Sequence, residues 1–482
     1  MPKDPELYGA PSAFANRTQF LRNIQPVVLP LRQPRSLDVA HRLNVTFELP
    51  QSLATYNPSI ARAPPGLCPR CVWLAAMRAD GLHQCADGVW QQPAKYKTGK
   101  RAHRNWFKST MIAVYDANWR PLGWTWLLSS PTMQVRAPGA PPPSCAGCSA
   151  FDTVEAGVAD GFNPPLLKQV WDARLLNDGN GHVFVNFNCK SCVLAINHLF
   201  VTGDATSDGG VTNLRSWSRR IRPIMQPWAQ GRNQAAFVGA DGALMLQPWL
   251  GLVGRSGTPR FTPRAQPCKG GGTLELCGST PYGSTLKVDA IFGGEYKLRL
   301  IHNDSLSDLR VADGSRLSTT ANLVPIRRAD GCSVLLGVGH LHRHDGPRQR
   351  ELVRREQGRR GAGAGGRRRR PAAAAKAAAA APAERFEFGS QYTHFWYAID
   401  AQAPHRIVAT SGEWCLAAAR DPLDCESVQF VSGAAVADGG DDLVVSYGVS
   451  DCEAKAASVP LRSVWAALVP RGGAGETCVR TS

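Results

Sequence analysis

The stretch DDLVVSYGVSDCEAK, Asp441 to Lys455, alternates apolar residues and then places Tyr447, Asp451 and Glu453 where its strand should end. A strand that only builds a sheet has no need of a phenol and two carboxylates at its tip, whereas a polar pocket at the mouth of a ring of sheets does. Other polar residues open apolar stretches in the same way: Asn105 with Trp106, Asp172 with Arg174, Arg232 with Asn233 and Gln234, Thr320 with Asn322, and Glu426 with Gln429. Asp172, Glu426 and Asp451 supply acids. Arg174, Arg232, His340 and His394 supply groups that hold an anion. Trp106, Tyr392, Trp396 and Tyr447 offer flat apolar faces of the kind that stack on sugar rings. Each has a bland counterpart: polar strand starts serve turns, aromatic residues fill cores, and a buried His is often just hydrogen-bonded.

The elements that must bring these residues together are short strands. The chain has 482 residues with 47 Gly and 35 Pro, a composition that favours many turns. Five stretches repeat one plan, a polar opening, a strand, an Asp-Gly or similar turn and a second strand. They are RNWFKSTMIAVYDANWRPLGWTW, WDARLLNDGNGHVFVNFN, GRNQAAFVGADGALMLQPWLGLV, STTANLVPIRRADGCSVLLGVGH and ESVQFVSGAAVADGGDDLVVSYGVSD. Their starts, near 105, 172, 233, 319 and 426, are 67, 61, 86 and 107 residues apart. Removing the low-complexity segment 342–385 brings the last step into the sixties. A period of that length fits four-stranded propeller blades. The expected fold is therefore all-β, a five-bladed β-propeller with an irregular N-terminal leader and a disordered basic insertion; a β-sandwich is the competing fold. In a propeller the first strand of each blade lines the central channel, so the polar openings would converge.

Residues 1–98 read as a Pro-rich leader or cap with room for first strands, 99–343 as blades, 344–384 as an Arg/Gly/Ala insertion, 385–470 as closing strands and 471–482 as a tail. The net charge is +17, but the stretch from Arg343 to Arg385 alone carries +9. A charge excess concentrated in one low-complexity segment indicates a solvated loop, with an arm that touches RNA or a membrane as the alternative. No specific nucleic-acid partner is expected, and no run approaches the apolar length of a membrane span.

Fourteen cysteines include the pairs Cys68/Cys71, Cys145/Cys148 and Cys189/Cys192. Disulfides in an oxidising compartment are the favoured reading, with zinc on the last two pairs or free thiols as alternatives. Sequons at Asn16, Asn44 and Asn303 add slight support for a lumenal or extracellular location. The opening MPKDPELYGAPSAF lacks the apolar core of a signal peptide, so that location would need a targeting segment upstream.

From GVGH (Gly337–His340) through QYTHFWYAID (Gln391–Asp400), APHRIVATSGEW and ESVQFVSGAAVADGGDDLVVSYGVSD, the order of motifs resembles the C-terminal half of the β-mannoside phosphorylases and related β-mannosyltransferases. WDARLLNDGNGHVFVNFN resembles that family's Glu-Asp-Pro-Arg blade opening, with Trp171 and Ala173 in place of Glu and Pro. Leu341 follows His340 where the family has Gly. The resemblance implies a five-bladed propeller that moves a mannosyl-like unit with inversion. Asp172 would be the general acid, with Arg and His holding inorganic phosphate or a sugar phosphate as co-substrate, and no metal or other cofactor. Phosphate is already nucleophilic, so such a site needs cations instead of a second carboxylate to activate water. A non-catalytic glycan-binding propeller and a protein-interaction propeller are the alternatives.

Overall fold

The computed structural model describes residues 27–39, 54–80, 84–86, 89–91, 108–130, 170–189, 195–219, 234–247, 251–252, 284–292, 295–303, 316–343, 391–418, 421–425, 429–449 and 452–471. They are nearly all strand; the one helix among them is Leu461–Ala467. The expected all-β class holds.

The hairpins fall where the Asp-bearing turns predict them. Asp178 accepts from the backbone N–H of Asn180 (2.8 Å) and His182 (3.0 Å), closing the turn between Val170–Asn177 and Val183–Cys189. Asp116, Asp241 and Asp330 cap their turns in the same way. Such side chains mimic a backbone turn partner and fix the hairpin locally. Gly331 follows Asp330 with φ +91, a conformation costly for residues with a Cβ.

These hairpins extend into larger sheets. Strands Ala54–Arg62, Trp73–Asp80, Lys108–Tyr115 and Pro121–Ser130 form an antiparallel meander, and Val170–Asn177, Val183–Cys189, Ala195–Ala205 and Val211–Arg219 form a second. Their outer strands pair in parallel, Ser216 against Leu127, to give one eight-stranded sheet. Ala235–Val238, Leu244–Gln247, Ser284–Phe292 and Glu295–Asn303 make a four-stranded sheet. A second eight-stranded sheet is centred on Ser333–Arg343, Gln391–Asp400 and Ile407–Cys415. The last four-stranded sheet contains Gln429–Val436, Asp442–Val449 and Glu453–Pro460. Its outer strand, Arg32–Ser36, comes from the N-terminal end of the chain.

Strands in these sheets are buried on both faces, as Asp442–Val449 is over nearly its whole length. The apolar clusters show why. One packs the first meander against the second, through Leu74 and Ile112 against Leu175 and Val185. Another joins the Ala235–Val238 sheet to the sheet of Leu335 and Phe395. A third joins that sheet to the C-terminal one, through Trp396 and Trp414 against Val431 and Val445. A fourth packs the C-terminal sheet back on the first meander, through Val444 and Ala456 against Ile60 and Met111.

The expectation that the unit near Asn105 opens a sheet is corrected. The strand after it, Lys108–Tyr115, is the third of its meander, paired between Trp73–Asp80 and Pro121–Ser130. The edge strand of that meander is Ala54–Arg62, within the region that the sequence assigns to the leader.

Candidate active site

Three of the strands that begin a sheet carry a β-bulge. In Ala54–Arg62 the register breaks between Tyr56 and Ser59, leaving Asn57 and Pro58 opposite one partner residue. In Val170–Asn177 it breaks around Asp172 and Ala173. In Gln429–Val436 it breaks at Ser432. A bulge turns a side chain out of the regular alternation and often lies beside a site.

The bulges meet. Asn57 (φ 48) and Asp172 (φ 53) are both left-handed, and Asn57 Nδ2 donates to Asp172 Oδ1 at 3.1 Å. Arg78 Nη1 lies 3.5 Å from the same oxygen, and its guanidinium stands over the Tyr56 ring, 5.0 Å from the centroid. Ser432 Oγ donates to the Pro58 carbonyl at 2.7 Å and Ser446 Oγ to the same carbonyl at 2.5 Å. Gly433 and Gly448 allow this approach: a Cβ on Gly448 would lie 2.2 Å from Asn57 Oδ1. Asp172 and Arg78 keep 11% and 15% side-chain exposure, so the pair is largely but not wholly shut off from solvent.

Behind the pair, Arg174 is fully buried. Its Nε donates to the Thr320 carbonyl, and its guanidinium lies 5.8 Å from the centroid of Phe430. Burial lowers its pKa to about 10, partly offset by the charge of Asp172, so it remains a cation at neutral pH. Thr320 Oγ1 donates to the Val338 carbonyl at 3.0 Å. His340 is buried edge-on to Phe430 (5.3 Å) and to half-buried Tyr392 (5.9 Å).

Other predicted residues join strands together. Asn322 accepts from Ala236 N–H (2.8 Å) and donates to the Leu175 carbonyl (2.9 Å) and to Asn186 Oδ1 (2.9 Å). Asn186 Nδ2 in turn donates to the carbonyl of buried Gln234 at 3.3 Å. Gln429 Oε1 accepts from Leu416 N–H. His394 lies flat on Trp414, 4.9 Å between centroids, and its Nε2 accepts from Val431 N–H at 3.1 Å. Burial drives its pKa down to about 3, against a smaller upward effect of Gln429. Its ring is wholly buried and its Nε2 is taken by a backbone N–H of the next sheet, which corrects the expectation that His394 holds an anion. Tyr447 belongs to the core between the last two sheets, and burial, then the charge of Glu453, raises its pKa. Its expected place at a sugar-facing rim is corrected accordingly.

Asn105, Trp106, Arg232, Asn233, Glu426 and Asp451 lie outside the described residues. Sequence reasoning missed Asn57, Arg78 and the buried carboxylate Glu413, which accepts from Thr393 Oγ1. The signal for Asn57 is present as Asn-Pro-Ser inside an apolar stretch. Cys68 and Cys71 form a disulfide, and Cys332, Cys415 and Cys452 are also disulfide-bonded. Among the described residues no group of three or more His, Cys, Asp or Glu is placed to hold a metal. Cys145, Cys148 and Cys192 of the zinc alternative are outside them.

No protein-family model matches the chain, and no curated protein matches it. Among solved structures it is similar to the β-1,2-mannobiose phosphorylase of Listeria innocua, at 12% identity and a TM-score of 0.40, over 88% of this chain and 94% of that one. It is similar to a mannose phosphorylase of Leishmania mexicana in complex with phosphate ion, at 10% identity and 0.33, over 89% and 90%. A GDP-Man-dependent mannosyltransferase of the same organism is similar at 11% identity and 0.30, over 90% and 91%. These are the kinds of protein that the C-terminal motifs resemble.

Proposed function

We propose that this chain is a five-bladed β-propeller that transfers a mannosyl-like unit, with Asp172 as general acid and inorganic phosphate or a sugar phosphate as co-substrate. The observation that carries the proposal is the meeting of two bulges at Asn57 and Asp172. Both residues hold a left-handed backbone that costs of order 1–2 kcal/mol each. The result is a carboxylate fixed by an amide and a guanidinium at a partly open position. The succession of packed sheets, with the last resting on the first, supports the propeller.

In this reading Asp172, protonated in the substrate-loaded site, delivers its proton toward the leaving oxygen while phosphate attacks the opposite face of the sugar, and Asn57 and Arg78 hold the carboxylate that the transfer leaves behind. Arg78 is the cation beside the acid with access to solvent, and Arg174 is a positioning residue behind it. Tyr392, half-buried and edge-on to His340, is the candidate aromatic face for a sugar ring.

The test is calorimetric titration with inorganic phosphate and with mannose 1-phosphate, on the wild type and on Asp172→Asn, followed by turnover. Asn tolerates the left-handed backbone, so the fold is expected to persist. Ligand binding should survive and turnover should fall by about 10²–10⁴-fold, the usual contribution of a general acid. Indifference to phosphate, with manno-oligosaccharide binding that ignores the substitution, would instead identify a non-catalytic glycan-binding propeller. Silence toward every sugar would favour a protein-interaction propeller, whose binding should be salt-sensitive and lost on deleting residues 344–384.

A further inference from the structure

The Cys68–Cys71 disulfide closes a four-residue ring in the loop between Ala54–Arg62 and Trp73–Asp80, with Cα atoms 5.1 Å apart. This loop lies at the end of the strands away from Asp172, because it follows Arg62 while Asn57 lies nearer the start of the same strand. Three hairpin turns converge on it. Arg70, inside the ring, pairs with Asp116 of the turn before Pro121 at 3.1 Å. Its Nη1 donates to the Asp208 carbonyl at 3.2 Å, and its backbone N–H to the Gly209 carbonyl at 3.2 Å, both in the turn before Val211. Pro65 lies against Gly181 in a third turn, where an added Cβ would meet its Cγ at 3.2 Å. Next to the ring, Val72 N–H donates to the Tyr115 carbonyl at 2.9 Å. The loop therefore clasps the first meander to the second.

The ring is open to reagents from one side. Pro69 and Arg70 are exposed and Cys71 is half-buried, while Leu67 and Cys68 sit in the apolar cluster between the meanders. We propose that Cys68–Cys71 is a reversible thiol–disulfide site whose reduction by a dithiol loosens the clasp. One thiolate of the dithiol attacks a ring sulfur and forms a mixed disulfide, releasing the other cysteine as thiolate. The second thiol of the reagent then displaces the remaining protein sulfur. The protein gains two electrons and two protons as two Cys thiols, and the reagent leaves as its cyclic disulfide. Without the covalent ring, the turn that presents Arg70 is closed by the backbone hydrogen bond from Cys71 N–H to the Cys68 carbonyl at 3.1 Å, and the loop keeps its non-covalent ties to Gly209 and Tyr115.

The test uses the full chain and dithiothreitol, with alkylation mapped by mass spectrometry and hydrogen exchange read at each turn. Cys68 and Cys71 should alkylate before the buried Cys332 and Cys415. Exchange in Asp116–Arg120 and Thr206–Gly210 should then quicken by roughly tenfold, while Asp330–Cys332 is unchanged. The double variant Cys68→Ser/Cys71→Ser should show the fast exchange without reductant and no further response to it. If that variant does not fold, the wild-type alkylation order and exchange still decide. Alkylation of Cys332 and Cys415 first, or unaltered exchange at both turns after the ring is reduced, would overturn the proposal.

Discussion

His394 and Asp172 are both buried polar groups within strands, yet they are held in opposite ways. The Asp172 carboxylate is gripped by a donor and a cation and keeps some exposure. The His394 ring is wholly buried and neutral, with a folded pKa of about 3 against an ordinary value of 6.5. Because the folded value is the lower one, the unfolded chain takes up the proton first as pH falls. The contribution of His394 is therefore complete above about pH 6.5 and is lost as pH drops toward 3, by at most about 1.4 kcal/mol per pH unit. His394→Gln removes this titration. The difference in urea midpoint between wild type and variant should shrink steadily from about pH 7 to pH 5, and a constant difference would show that His394 does not titrate this way. Little of this is legible in the residues alone. The sequence marks both as polar within apolar stretches, but only the packing of Trp414 and the Val431 N–H makes one of them a strand tie.

At the scale of elements, the hairpins are legible in the sequence and the place of one edge strand is not. Asp-Gly turns act locally, so Asp241-Gly242 and Asp330-Gly331 announce their strands without reference to the rest of the fold. Ala54–Arg62 lies in the region read as a Pro-rich leader or cap with room for first strands, and its Pro58 fits only an edge strand or a bulge. The structure supplies both: Ala54–Arg62 is the edge of its sheet, Pro58 sits in the register break, and its carbonyl accepts from Ser432 and Ser446 of the last sheet. Bulges depend on which strands become neighbours, and for that reason neither Asn57 nor Arg78 can be placed beside Asp172 from sequence. The approach of the two strands rests on Gly448, where a Cβ would meet Asn57 Oδ1 at 2.2 Å and Asn57 N at 2.9 Å. Gly448→Ala should push the bulge away from its neighbour, costing about 1–3 kcal/mol in a denaturant titration. It should also impair any activity that depends on the Asn57–Asp172 contact. A stability matching wild type would mean that the two strands do not approach this closely.

For the whole molecule, the two ends of the described chain close on each other, and this connection separates essential from dispensable segments. Arg32–Ser36 pairs with Glu453–Pro460, and Leu37 continues that pairing by donating its N–H to the Ala454 carbonyl at 2.8 Å. Leu37 is fully buried between the last sheet and the first meander, and its own carbonyl accepts from Tyr115 Oη at 2.7 Å. One short segment thus completes the last sheet and seals it to the first. The basic segment has the opposite standing. Arg343 and Gln391 are paired Cα partners at the end of one hairpin, so the chain between them leaves and returns at a single point. Composition exposes this insertion, whereas nothing in the Pro-rich N-terminal sequence signals a closing strand. Two variants measured by thermal unfolding separate the roles. Leu37→Ala should cost about 2–5 kcal/mol, the usual range for emptying a buried Leu site, and lower the melting temperature by several degrees. Deleting residues 344–384 should leave the melting temperature close to that of the intact chain, because the paired strands on either side are retained. A deletion as damaging as Leu37→Ala would show that the insertion packs on the sheets, and an unaffected Leu37→Ala would mean that the N-terminal strand does not close the molecule.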